Sequence, residues 1–309
     1  MFHFQEIGIG IGIQTKNKTM KRIFRSATIV PGLLLASIFV FSSCRHKEPA
    51  IQLSGLTVSK TYPFRDFQQL KISGLFEINL IPYHKDSLVV TTDSSLFQYL
   101  FLEQRGNKVS ISFDLGDAHI TAADKAKNDS TEKVQAIATL RNLDLDEMKP
   151  VVDIYYLKLE NIDAKGAALL KAEKPLKTDI FKMELAGASK FTGNLIINHS
   201  LDIQAVGASR FEGSCMAPGK ASVEVTGASQ MDWSGFIGKA YLEATGASNI
   251  QSFEMVIDNL DAKATGASEI DATVNKHLNG TASGASHIRY KGTPEVKASV
   301  SGASAVKPA

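Results

Sequence analysis

One tripeptide, Gly-Ala-Ser, recurs seven times in the second half of this 309-residue chain. The copies are Gly187-Ala188-Ser189, Gly207-Ala208-Ser209, Gly227-Ala228-Ser229, Gly246-Ala247-Ser248, Gly266-Ala267-Ser268, Gly284-Ala285-Ser286 and Gly302-Ala303-Ser304. Their glycines lie 20, 20, 19, 20, 18 and 18 residues apart. A period this narrow points to a stack of like units, because a single repeat cannot bury its own apolar face and needs neighbours to do so.

Aligning the copies on their glycines shows what each unit is. Two, four and six places before the glycine stand apolar or small residues, such as Leu185, Met183 and Phe181, or Val225, Val223 and Ala221. The places between them are mostly polar, as with Lys182 and Glu184 or Asp202 and Gln204. Alternation of period two is the mark of a strand with one buried face. Four places after the glycine every copy is apolar again: Phe191, Phe211, Met231, Ile250, Ile270, Ile288 and Val306. A second strand therefore follows the first across the Gly-Ala-Ser corner. A variable stretch closes each copy ("SCMAPGK", "SGFIGK", "FEMVIDN"), and its prolines and glycines predict turns. Strand, corner, strand and return fit one coil of a parallel β-solenoid. Helical periodicity is missing, and a propeller blade needs about twice the period. The expectation is an all-β chain with coils of about 18–21 residues and Gly-Ala-Ser at one corner of each. Gly166-Ala167-Ala168, which stands 21 residues before Gly187, reads as a worn first copy.

Stacked coils repeat at about 4.8 Å, so each corner sits on an equal corner. Glycine can take a positive φ there. Alanine is expected as the largest side chain that stacks on itself in the bend. Serine shares parity with the inward position two residues later, so its hydroxyl faces in and needs a partner, since an unpaired buried hydroxyl costs about 1–3 kcal/mol. The serines make poor nucleophiles: none lies in Gly-x-Ser-x-Gly, and no copy carries its own His and acid. His287 follows Ser286, but that place holds Lys, Arg, Gln, Asn, Glu or Ala elsewhere.

The amino end has a different character. Residues 1–43 read as an extension plus an export leader, with Met20 as the better start. Lys21, Arg22 and Arg25 precede an apolar run of about 13 residues from Ile29 to Phe41, too short to span a bilayer permanently. Ser42-Ser43-Cys44 follows and is similar to the lipobox of bacterial lipoproteins, although Phe41 stands where leucine is usual. Cys44 is thus the expected lipidation site, and several acyl chains on it would anchor the protein stably. An ordinary secretory leader is the alternative. Residues 44–55 form the anchor and a polar tether. Lipidation would consume one partner of a Cys44–Cys215 disulfide and leave Cys215 a lone buried thiol. Residues 56–150 read as a strand-rich part with a polar loop at 115–133, and residues 151–309 as the repetitive solenoid.

The opening "LKISGLFEINLIPYHKDSLVVT", a second block of strands and the serial Gly-Ala-Ser coils resemble the head GIN domain family, labelled putative auto-transporter adhesins and common among exported proteins of Bacteroidetes. The resemblance covers most of residues 56–305. It implies a right-handed parallel β-helix and a lipoprotein or periplasmic placement, and it supplies no catalytic residues.

Charge excludes one class of partner. Thirty-four Lys and Arg against 32 Asp and Glu give no concentrated basic field for nucleic acid. Glu184, Gln204, Glu224, Glu243 and Lys263, each three places before a corner glycine, should form an outward ladder. That ladder is either a hard-cation site or a solvated row, and Gln204 and Lys263 favour the latter. The histidines have no zinc-ligand spacing. Asp232, Asp271, Arg210 and Arg289 fall on the second strand's outer face, as acids and bases do in β-helical polysaccharide-degrading enzymes. Trp233 and Tyr290 occupy equivalent places, either as an aromatic platform or as a closed core edge. The sequence therefore predicts a lipid-anchored outer-membrane protein, on an unspecified face, that binds or scaffolds through a repetitive surface. It needs no cofactor or metal, and its partners are the membrane and either a glycan or an envelope protein. An envelope-polysaccharide-degrading enzyme is the alternative.

Overall fold

A computed structural model of the protein describes residues 50–114, 119–121 and 149–309. The leader, Cys44 and most of the 115–133 segment lie outside the described residues. Within that segment, expected to be a loop, His119–Thr121 is a short strand paired in parallel with Ala50–Gln52.

In chain order the strands are β1 (Ala50–Gln52), β2 (Thr57–Tyr62), β3 (Gln69–Pro82), β4 (Ser87–Asp93), β5 (Leu100–Arg105), β6 (Lys108–Phe113), β7 (His119–Thr121) and β8 (Val151–Tyr156). A 3-10 turn, Ser94–Tyr99, joins β4 to β5. Then come the coils: β9 (Asn161–Gly187), β10 (Lys190–Gly207), β11 (Arg210–Gly227), β12 (Gln230–Gly246), β13 (Asn249–Gly266) and β14 (Glu269–Gly284). β15 (His287–Lys291) and β16 (Glu295–Gly302) form the level on β14, and β17 (Ala305–Pro308) begins one more on β15. Consecutive coils pair in parallel along almost their whole length, which makes a β-solenoid of about seven turns.

The alternation sets the core. Phe181, Met183 and Leu185 are fully buried, and so are the corresponding residues of the next coils, Leu201, Ile203 and Ala205, then Ala221, Val223 and Val225. The row after the corner, Phe191 to Ile288, is equally buried, and Phe191 stacks on Phe211 at 5.1 Å between ring centroids. The variable stretch adds two further inner rows, one through Leu195, Cys215 and Met255 and one through Ala217, Ile237, Ile257 and Val274. Burial pushes the Cys215 thiol up to about 12, so it is a core side chain with little thiolate character.

Those rows depart from the expected turns. Strand pairing runs on through Ala217, and the irregularities are register shifts at Gly193/Leu195, Ile197/Ser200, Ala217/Lys220, Asp232/Gly235, Ser252/Val256 and Ile257/Asn259. Coils of unequal length are accommodated at these shifts, while the first strand and the corner stay in register. Glycine here serves close approach of backbones: a Cβ on Gly219 would lie 2.3 Å from the carbonyl oxygen of His199.

The stack begins earlier than the triplets do. β3 pairs in parallel with β9, setting Gly74 opposite Gly166, so "SGLF" is a further corner beneath Gly166-Ala167-Ala168. On its other edge β3 is covered by β6 along its first half and by β8 along its second. β8, β4 and β2 then continue as antiparallel strands, and β5 pairs antiparallel with β6. The segment before the repeats thus occupies the first coil's exposed backbone edge, which would otherwise invite pairing with another chain.

Candidate functional site

The repeated corner is the first place to look for chemistry, and its geometry is that of a joint. Each corner glycine has a positive φ, +90° at Gly227 for example. A Cβ built on Gly227 would stand 2.6 Å from the carbonyl oxygen of Gly207 in the coil below, and the other triplet glycines give 2.5–2.8 Å. That oxygen is occupied: the Ala228 amide donates to it at 2.7 Å, and the same bond recurs at 2.7–2.8 Å at every triplet.

Ser189, Ser209, Ser229, Ser248, Ser268 and Ser286 are buried. Each hydroxyl donates to the carbonyl three residues earlier at 2.8–3.0 Å, as Ser229 does to Thr226, and Ser304 in the last coil repeats the bond. These hydroxyls are committed to the backbone and have no base beside them. His287 is exposed, while Ser286 points inward to Ser283 and Ala264.

The alanines correct one expectation. Ala188, Ala208, Ala228, Ala247, Ala267, Ala285 and Ala303 are all exposed. Residues of opposite parity to an inward serine face solvent, so crowding in the bend falls on the glycine and not on the alanine.

The acidic ladder exists as a register row, Gln204–Glu224–Glu243–Lys263. Lysines pair with two of its three acids, Glu184 and Glu243. Lys263 Nζ lies 2.8 Å from Glu243 Oε1, and Lys165 Nζ lies 3.3 Å from Glu184. The Lys263 hydrogen bond, followed by that of the Tyr241 hydroxyl, holds the Glu243 carboxyl below the usual range. Its counterpart is a Tyr241 phenol pushed up to about 12, chiefly by donating to Glu243. Among the described residues no cluster of three metal-ligating side chains occurs.

On the second strand's outer face the four charges do not converge. Arg289 clamps Asp271 in a bidentate pair (Nε to Oδ1 2.8 Å, Nη2 to Oδ2 2.7 Å) and also reaches Glu269 at 2.6 Å. Asp271 is 5% exposed, a carboxylate buried beneath its arginine rather than an acid open to substrate. Arg210 is held by Glu212 and Gln230, and Asp232 points to solvent. Trp233 is buried, edge-to-face with Phe211 at 6.4 Å, and Tyr290 packs against the core. The aromatic pair closes the interior and offers no platform.

A different corner carries the concave surface, and no motif in the sequence signals it directly. Seven places before each corner glycine, Ser200, Lys220, Lys239, Asn259, His277 and Glu295 stand in register. Two places later Asp202, Ser222, Tyr241, Asp261, Asn279 and Lys297 form a parallel row. Buried Leu201, Ala221, Leu260 and Leu278 lie between the rows. This corner directly follows the register shifts at Ile197/Ser200, Ala217/Lys220 and Ile257/Asn259, and the surface is hollow there. One hollow of about 320 Å³ runs from Ser200 to Tyr241, and another of about 420 Å³ from Lys239 to Lys297. Lys239 lines both, so they form one groove along the stack. Alternation showed that these residues face outward, but the bend that makes the groove depends on the register shifts in the variable stretch.

The comparisons agree with this architecture. The sequence model of a family described as "Putative auto-transporter adhesin, head GIN domain" matches residues 66–294. No curated protein matches the chain. Among solved structures, a putative adhesin from Parabacteroides merdae ATCC 43184 superposes with a TM-score of 0.68 at 19% identity, covering 84% of this chain and 99% of that one. A putative lipid binding protein from Parabacteroides distasonis ATCC 8503 gives 0.66 at 15%, with coverages of 84% and 99%. A putative adhesin from the same organism gives 0.63 at 18%, with coverages of 84% and 100%. At these identities the likeness is one of fold.

Proposed function

The chain belongs to the head GIN domain family, and from that premise we propose that it is a non-catalytic binding module of the cell envelope that engages its partner along the outside of the solenoid. The observation that carries this reading is the polar groove continuous over six levels of the stack, from Ser200 to Lys297. Its side chains are hydrogen-bonding groups spread along a line, as an extended ligand requires. Two acids that hydrolysis or elimination could have used, Asp271 and Glu243, are instead tied up with Arg289 and Lys263. A glycan strand or the extended surface of an envelope protein fits such a line. The adhesin names of its structural neighbours point the same way, and one neighbour's name points to lipid.

The test is incubation of the protein with envelope polysaccharides and whole cells. Saturable binding with no new reducing ends supports the reading. Progressive shortening of any polymer would make the protein an enzyme and overturn it.

We also propose that Cys44 is lipidated and tethers the module to the outer membrane. No helix among the described residues is long and apolar enough to cross a membrane, and Cys44 ends the apolar run of the leader. Cys44→Ser is expected to move the protein from the membrane fraction to the soluble fraction with its β-sheet spectrum intact. Unchanged fractionation would exclude the anchor.

A further inference from the structure

Where like charges meet in register on the outside of this solenoid, a counter-ion lies beside them, with one exception. Lys190 and Arg210 share Glu212. Glu212 and Asp232 meet beside those same cations. Glu224 and Glu243 have Lys263. Arg105 and Lys108 have Glu103. Lys220 and Lys239 are also register partners, so their backbones stand about 4.8 Å apart. Neither has a salt bridge or a side-chain hydrogen bond within the described chain, and both are exposed. Like charges directly opposite each other on neighbouring strands are destabilising. Here the repulsion stands unrelieved inside the groove. The groove's acids are turned elsewhere: Asp202 lies 3.4 Å from Lys182, Asp261 accepts from the Asn279 amide at 3.2 Å, and Glu295 lies 3.4 Å from His277. An anion seated between the two lysines would convert the repulsion into attraction.

We infer that the groove binds an acidic polysaccharide, with a carboxylate of the glycan held between Lys220 and Lys239. This rests on the binding reading above and names the ligand class for it. The groove crosses coils instead of following one, so whatever fills it lies along the stack. A β-linked hexose chain advances per sugar by nearly the distance the solenoid advances per coil (about 4.8 Å). Successive sugars therefore meet successive rungs. Ser222, Tyr241, Asn259 and Asn279 offer hydroxyl and amide partners along the walls. Lys297, which also lacks a salt bridge within the described chain, gives a second anionic subsite at the far end. An isolated headgroup would use the lysine pair alone and leave the rest of the groove without a role.

Calorimetry of the whole protein with polymannuronate (a β-linked acidic polymer), a neutral β-glucan of matched length and phosphatidylglycerol vesicles tests the inference. Binding to polymannuronate is expected, weakening as salt rises. The double reversal Lys220→Glu/Lys239→Glu should lower affinity by about tenfold or more, while Lys220→Arg/Lys239→Arg keeps it. Both substitutions are on exposed positions, and an unchanged β-sheet spectrum verifies folding. Equal affinity of the reversed variant, or preference for the neutral glucan, overturns the lysine subsite but leaves a binding module standing. Binding to vesicles alone makes the lysine pair a headgroup site and overturns the polysaccharide. Binding to none of the three, with no cell-surface binding either, defeats the inference and the binding reading together.

Discussion

At the scale of single residues, the Gly-Ala-Ser corner assigns three different jobs to three small side chains. Glycine is required twice over at Gly227, by a φ of +90° and by the Gly207 carbonyl 2.6 Å from where a Cβ would be. Gly227→Ala is expected to cost at least about 1–3 kcal/mol from the backbone conformation alone. Ser229 is required for its hydroxyl, which satisfies the Thr226 carbonyl from inside the wall. Ser229→Ala should cost about 1–2 kcal/mol. Ala228 faces solvent, so Ala228→Leu should change stability by no more than about 0.5 kcal/mol. Denaturant melts of the three variants check the ranking. A leucine variant as unstable as the glycine one would return the crowding to the alanine. Period and parity alone assigned the serine inward, but the alanine's outward placement follows from the same parity and was masked by its small size. A methyl group looks like packing whichever way it points.

At the scale of elements, the start of the stack is held by a local device. Asp93 ends β4 and caps the 3-10 turn, accepting from the Ser95 amide at 2.8 Å and its hydroxyl at 2.7 Å. The same carboxylate accepts from the Ser54 and Gly55 amides at 3.1 and 2.8 Å, tying the entry of the chain to β4. Partial burial alone would raise its pKa, but the donated bonds from Ser95 and Ser54 outweigh this and hold the carboxyl below the usual range. A carboxyl depressed in the folded state contributes stability above its unfolded value, near 3.9, and loses it as pH falls below that. Asp93→Ala should therefore cost about 0.5–2 kcal/mol at neutral pH, and the gap from the parent protein should close on acidification. A gap independent of pH would deny the carboxylate this role. The sequence around Asp93 announced only the Ser95 part of it, because the other partners, Ser54 and Gly55, lie 39 and 38 residues away. The coils were legible for the opposite reason: each repeats its neighbour, so one pattern is written seven times. Gly74 escaped because its corner stands alone in sequence, more than ninety residues before Gly166, and only strand pairing shows that the two are stacked.

At the scale of the molecule, the chain is close to one-dimensional. Each coil touches the one below and the one above, so stability should be a sum of near-equal coil terms and neighbour terms. Outward rows are then freed from the fold and available to a ligand, which is why the groove could acquire its own chemistry while the corners stayed constant. The measurement that tests this most directly is excision of one coil, residues 208–227, joining Gly207 to Ala228. In the shortened stack Phe191 would pack against Met231, and Trp233 would lie over Gly193 in place of Gly213, its present register partner. The account predicts a folded protein with an undiminished β-sheet signal per residue, a single cooperative but earlier unfolding transition, and a Trp233 fluorescence spectrum that remains that of a buried indole. A chain that fails to fold, or one whose tryptophan emits as if in water before any denaturant is added, would contradict it.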